Sequence, residues 1–198
     1  MTEIWLVRHG QTDGNLHNIV QGQRNIPLNA TGIEQARALA DQLVDISFTA
    51  VYSSDLSRAM QTATIIAERK GLKVIPDARL REIRQGVWEG LPFEQVIKDF
   101  RPDFSPNPVY ITTPRAEGAE SVAEVLARMV EAANETLTRH PAGRVLFCTH
   151  GMASAALYCL ARSIPLAHVG EHIPQNGQPL VISFEEPLNL PDFTETLS

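Results

Sequence analysis

The chain is short of several features that mark whole protein classes. It has two cysteines, Cys148 and Cys159, too few for a disulfide framework and in no CxxC or Cys/His metal pattern. No apolar run is long enough to span a bilayer. The N-terminus lacks a basic segment followed by an apolar one, so no export signal is read there. Two reduced thiols in a cytoplasmic protein is the resulting expectation. Positive charge is also scarce: 17 Lys and Arg against 23 Asp and Glu give a net charge of -6. That argues against non-specific nucleic-acid binding, and any anion site must be built from locally placed Arg and His. There is no internal repeat and no low-complexity tract. What is present, 43% hydrophobic and 20% charged residues over 198 positions, suits one domain with a full core.

Two stretches carry the strongest local signal. Ile4, Trp5, Leu6 and Val7 form a short apolar run that reads as a buried strand and ends in Arg8, His9 and Gly10. In an open α/β sheet, ligands bind at the carboxyl ends of strands. Arginine supplies a planar fork of donors for phosphate, and histidine a nucleophilic nitrogen or a proton. Glycine lets backbone approach a ligand closely. Residues 144–149 repeat the pattern, an apolar strand that ends in His150 and Gly151. Two such strand ends in one sheet make a bipartite site.

The rest of the chain alternates strands and helices. A capping box at Thr31, Gly32, Ile33 and Glu34 opens a helix expected to run to about Val44. Residues 50–53 read as a strand, and residues 53–57 offer N-cap side chains to a helix closed by Gly71. Arg58 falls in the first turn of that helix, where a cation is disfavoured. It is either a surface arginine or one that shares a bound anion with the helix N-terminus. Asn15 is either a phosphate donor or an ordinary turn residue. Residues 73–75 form a candidate strand. Residues 80–90 are dense in charge and read as irregular, with Glu82 and Glu89 as candidate general acids. A helix is expected over 93–100. Residues 101–114 hold Pro102, Pro106, Pro108 and Pro114 and read as an irregular binding loop or lid. A second capping box, from Ser121 to Glu124, opens the clearest amphipathic helix, which ends near Arg139. A small-residue helix over 153–160, a loop-rich stretch over 165–178 and a last strand over 180–184 follow. The tail from Glu185 is expected to fray.

In order, these pieces resemble the histidine phosphatase superfamily, the phosphoglycerate-mutase-like proteins. The resemblance rests on residues 6–12 with Asn15, on Pro27 and Leu28 through Thr31 and Gly32, and on residues 53–59 with Gln61, Thr62 and Ala63. It continues with residues 80–82 and 86–90, with Gly118, Glu120 and Ser121, and with residues 149–151. It implies a three-layer α/β/α sandwich with a mixed, mostly parallel sheet, in one domain over 1–198. A lid-like insertion would cover about 92–120, and a loose tail about 185–198. It further implies that His9 attacks phosphorus and becomes a phosphohistidine. Arg8, Arg58 and His150 would hold the phosphoryl oxygens. Asn15, Gln21, Gly22 and Gly151 would complete the phosphate contacts, and Glu82 would protonate the leaving oxygen. No metal or cofactor is implied, and the partner would be a small-molecule phosphate ester, with no nucleic acid and no membrane. A homodimer is compatible with this. Many members carry an arginine near Ile19 and an aspartate at Asn25, and this chain does not. The run Gly86-Val87-Trp88-Glu89-Gly90 and the few cations of 93–121 look like the phosphatase branch. A mutase and a non-catalytic phospho-ligand binding module are the alternatives.

Overall fold

The apolar run at 4–7 lies inside β1 (Thr2–Arg8), where Ile4, Leu6 and Val7 are fully buried. Residues 1–100 and 109–193 are described in this computed structural model. In chain order, β1 is followed by α1 (Asp13–Leu16), α2 (Ala30–Gln42), β2 (Ala50–Ser53), α3 (Ser57–Lys70) and β3 (Val74–Pro76). Then come α4 (Phe93–Phe100), α5 (Val109–Thr112), α6 (Val122–Arg139), β4 (Arg144–Thr149), α7 (Gly151–Ala161) and β5 (Pro179–Phe184). The sheet order is β3-β2-β4-β1-β5. The first four strands run parallel, and β5 pairs antiparallel with β1.

Parallel strands need both faces covered, and the side chains divide accordingly. Ile4, Leu6, Val145 and Phe147 pack with α6 and α7, while Val7, Val51, Leu146 and Cys148 pack with α2 and α3. This is the expected three-layer α/β/α arrangement. Both cysteines are free and buried. No helix among the described residues is long and apolar enough to cross a membrane.

One register matters for everything below. β1 and β4 are direct neighbours with Arg8 opposite Thr149, and His9 N–H donates to Thr149 O at 3.0 Å. His9 and His150 therefore leave adjacent strands at the same height.

Several local readings are corrected. The capping box at Thr31 does not start α2. Asn29 is the N-cap, its Oδ1 accepting the Gly32 N–H at 2.9 Å. Asn29 N–H is held by Gln11 O at 3.0 Å, which fixes the extended backbone an N-cap requires. Gly32 serves a different need: a Cβ there would lie 2.0 Å from Gln11 O, and one on Gly10 would lie 2.3 Å from Gly32 O. The close approach at Gly10 is thus made by the α2 backbone. The serines at 53–57 do not cap α3 either. Leu56 is the N-cap and has no side-chain bond, and the Ser57 N–H instead reaches Asn25 Oδ1 at 2.7 Å.

The irregular 80–90 stretch holds a 3₁₀ turn at Gly86–Trp88 just after one at Ala78–Leu80. Within the proline-rich segment, residues 101–108 lie outside the described residues, and α5 is a single helical turn in the part that was expected to be irregular. The looseness expected from Glu185 does not hold as far as Leu188. Asn134 on α6 donates its amide to Leu188 O at 2.9 Å and accepts Leu188 N–H at 2.8 Å. The end of that tail, 194–198, lies outside the described residues.

Candidate active site

A cavity of about 300 Å³ opens beyond the end of β1. Arg8, His9, Asn15, Gln21, Gly22, Arg58 and Glu82 line it, together with Gly14, Asn18, Ile19, Val20, Gln85, Trp88 and Phe93. Its walls are tied to each other: Phe93 N–H donates to Asn18 O at 2.8 Å and Val20 N–H to Leu91 O at 2.9 Å.

His9 is buried, and its Nδ1 lies 2.6 Å from Gly10 O. A carbonyl only accepts, so the proton sits on Nδ1 and Nε2 keeps its lone pair. Burial first, then the Arg58 charge, holds the His9 imidazolium well below the usual histidine range. The group is therefore a neutral imidazole with a bare Nε2. Arg58 Nε donates to that nitrogen at 3.2 Å.

Arg58 is 1% exposed, an extreme place for a guanidinium. Its Nη1 donates to Arg24 O at 2.7 Å and its Nη2 to Gly22 O at 2.8 Å. Burial pushes it down to about 10, so it stays charged near neutrality. Arg8 donates Nη1 to Pro174 O at 2.7 Å, while its buried Nε has no hydrogen-bond partner. Neither arginine has a carboxylate within salt-bridge distance among the described residues. Two cations without a carboxylate partner, one of them with a buried donor unmet, make a site suited to an anion. Of the two readings of Arg58, the surface arginine is excluded.

Glu82 belongs to the same cavity. Its Oε1 accepts Ile83 N–H at 2.9 Å and Ala153 N–H at 3.2 Å, and its Oε2 accepts Met152 N–H at 3.2 Å. The first turn of α7 thus helps to fix the carboxylate. Glu89 does not line the cavity. Its Oε1 accepts the N–H groups of Gln23 and Gln85, both at 3.0 Å, so it braces two loops.

His150 is fully buried, with its ring centroid 5.1 Å from that of His9. Asn15 lines the cavity and shows the turn reading. Its Oδ1 accepts Thr12 N–H at 3.1 Å in a capping box, which leaves Nδ2 as the end that faces a choice of partner. Gln21 Oε1 accepts the Thr12 hydroxyl at 2.8 Å. Gly22 lines the cavity, and its carbonyl accepts Arg58 Nη2–H at 2.8 Å. Gly151 does not line the cavity. A Cβ there would lie 3.0 Å from Ile173 Cγ2 and 3.4 Å from Arg8 Cζ, so the position is tight against Ile173 and borders the guanidinium.

Some of the architecture gave no sequence signal. Asn176 Nδ2 donates to His9 O at 2.7 Å, and Gly177 N–H to Arg8 O at 3.0 Å, both from the loop before β5. Arg128 on α6 donates to the carbonyls of Arg79, Arg81 and Glu82 at 2.6–3.0 Å and pairs with Glu120. Only the Glu120 and Ser121 motif, noted without a role, could have pointed there.

A charged cleft of this composition, on a mixed α/β sheet with paired strand-end histidines, is suited to an anionic group. Residues 4–188 match the model of the histidine phosphatase superfamily (branch 1), and the chain belongs to that superfamily. It is 38% identical over 167 residues to the probable phosphoglycerate mutase GpmB of Yersinia enterocolitica, covering 83% of this chain and 77% of that one. Among solved structures it resembles a mycobacterial glucosyl-3-phosphoglycerate phosphatase in complex with VO3, with a TM-score of 0.80 and 31% identity over 91% of this chain and 90% of that one. It also resembles a putative alpha-ribazole-5'-P phosphatase from Escherichia coli K-12, with a TM-score of 0.78 and 25% identity over 91% of this chain and 89% of that one.

Proposed function

We propose that the protein is a metal-independent phosphatase that hydrolyses small-molecule phosphate monoesters through a phosphohistidine on His9. The observation that carries this reading is the His9 tautomer. Nδ1 is tied to Gly10 O at 2.6 Å, so Nε2 carries the lone pair, which accepts the Arg58 Nε–H at 3.2 Å until a phosphoryl group takes that donor. In the first step Nε2 attacks phosphorus while the ester P–O bond breaks. The leaving oxygen takes the electron pair and a proton from Glu82. In the second step water attacks the phosphohistidine and gives its proton to Glu82. The P–N bond breaks, its electron pair returns to Nε2, and inorganic phosphate departs. Arg8, Arg58 and His150 meet the charge on the equatorial oxygens, and Asn15 adds an amide donor.

The mutase reading draws support from the name of the Yersinia relative. A phosphoglycerate carries a carboxylate besides its phosphate, and a bisphosphate intermediate carries two phosphoryl groups. The only cations that line the described cavity are Arg8 and Arg58, and both belong to the first phosphoryl group. The remaining lining is amide and apolar, from Asn18, Gln85, Ile19, Val20, Trp88 and Phe93. That supports a neutral, hydroxyl-bearing leaving group with an apolar face, hence hydrolysis over mutase transfer. A binding module would need no acid, so Glu82 in the cavity counts against that alternative.

A rapid quench with labelled substrate, in excess chelator, should trap phosphate on His9. The adduct should survive alkali and be lost in acid, as a phosphoramidate is. Label on another residue, or full turnover by His9→Ala, would overturn the mechanism. Activity that chelator abolishes and a divalent ion restores would overturn its independence from metal.

A further inference from the structure

Ser54 takes no part in the reaction above, yet it touches His150. Its hydroxyl has one proton and two lone pairs. Leu56 N–H donates to Ser54 Oγ at 3.3 Å. The other partner of Oγ among the described residues is His150 Nε2, at 2.9 Å. Both side chains are fully buried, and His150 Nδ1 has no partner.

Two proton arrangements are open. With the proton on Nε2, Ser54 would accept twice, its own proton would have no acceptor, and Nδ1 would be a bare buried lone pair. With Nε2 bare, the hydroxyl donates to it and the ring proton sits on Nδ1. The first arrangement leaves two buried groups unmet, and the second leaves one. Unmet buried polar groups are expensive, so the second arrangement wins. The one group it leaves over is an N–H donor, which is what an incoming anion needs.

We infer that Ser54 is a positioning residue: its hydroxyl donates to His150 Nε2 and so keeps the ring proton on Nδ1, ready for a phosphoryl oxygen. Burial, then the charge of Arg58, holds the His150 imidazolium well below its usual range. The ring is therefore neutral at working pH, and its tautomer decides whether it offers a donor or a repelling lone pair. The catalytic consequence rests on the phosphatase reading, whereas the tautomer does not.

Long-range ¹H–¹⁵N correlation on protein labelled at histidine reads the tautomer directly, with His150 assigned by its loss in His150→Gln. Wild type should show a protonated Nδ1 and a bare Nε2, and inorganic phosphate should move the Nδ1 proton downfield. Ser54→Ala should populate the Nε2–H form and lower kcat about tenfold, roughly the worth of one hydrogen bond to a charged group. Ser54→Thr, which keeps the hydroxyl, should restore the tautomer and most of the rate. A wild-type ring protonated on Nε2 overturns the inference without any variant, even if Ser54→Ala fails to fold. So does an unchanged tautomer in a folded Ser54→Ala, or a Nδ1 proton that phosphate leaves unmoved. A tautomer that switches as expected in a protein with no phosphatase turnover would sink the reaction and leave the Ser54 assignment standing.

Discussion

At the residue scale, two carboxylates compete for one role. Glu82 lines the cavity and Glu89 braces the loops at Gln23 and Gln85. A general acid matters most when the leaving group is basic. Glu82→Gln should slow phosphorylation of His9 by alkyl phosphates by about 10²–10⁴-fold and affect p-nitrophenyl phosphate far less. Single-turnover kinetics must be used, because Glu82 also serves the second step. Glu89→Gln should lower stability and show no dependence on the leaving group. If Glu89→Gln separates the two substrates and Glu82→Gln does not, the roles are reversed.

Arg58 is the second residue whose part is sharply testable. Its Nε faces His9 Nε2, while Nη1 and Nη2 hold the carbonyls of Arg24 and Gly22. A lysine has one nitrogen for these three positions and no planar fork. Arg58→Lys should therefore lose about 3 kcal/mol of transition-state stabilisation, as expected for a missing preorganised donor. Near-normal kcat/KM in the lysine variant would show that the fork geometry is irrelevant.

At the scale of elements, Arg58 is aimed by the start of α3, and that start is capped from outside. Asn25 Oδ1 accepts the Ser57 N–H at 2.7 Å, a job its own neighbours Ser53 and Ser54 do not perform. Asn25→Ala should cost about 1 kcal/mol of stability, the usual worth of an N-cap. Asn25→Asp should be neutral or slightly stabilising, since a carboxylate suits a helix N-terminus. Equilibrium denaturation of the three proteins measures this. An Asn25→Ala protein as stable as wild type would mean that the contact contributes nothing.

At the scale of the whole molecule, folding buries two neutral histidines. In the unfolded chain His9 and His150 titrate near the usual value of about 6.5. In the fold, burial and then Arg58 hold both well below it. Below about pH 6.5 the unfolded state therefore binds more protons, and stability rises with pH in that window. The contribution is intact above about pH 7 and lost as pH falls, at up to ~1.4 kcal/mol per pH unit for each histidine. Denaturant titrations at several pH values should show this slope, reduced in His9→Gln and in His150→Gln. An identical slope in all three proteins would assign the acid sensitivity to other groups.

The order of most strands and helices, and Arg8, His9, Arg58 and Glu82 as candidate site residues, were legible in local patterns of the chain, whereas the mixed, mostly parallel sheet and the contacts expected of Gln21, Gly22 and Gly151 came from the family resemblance. An apolar run followed by His and Gly, or a serine three residues before a glutamate, is short-range information. The starts of α2 and α3 were misread for a related reason: Asn29 is held by Gln11, and Ser57 is capped by Asn25, both partners distant in sequence. The β1–β4 register, which sets His9 beside His150, depends on pairing strands about 140 residues apart in sequence. The same holds for Arg8 against Pro174, Asn176 against His9 O, and Arg128 against the backbone around Glu82. The sequence by itself determined which charged and nucleophilic groups the candidate site can draw on. Only the tertiary structure decided which proton each carries and which partner aims it, because tautomer and orientation are set by neighbours that only folding brings together.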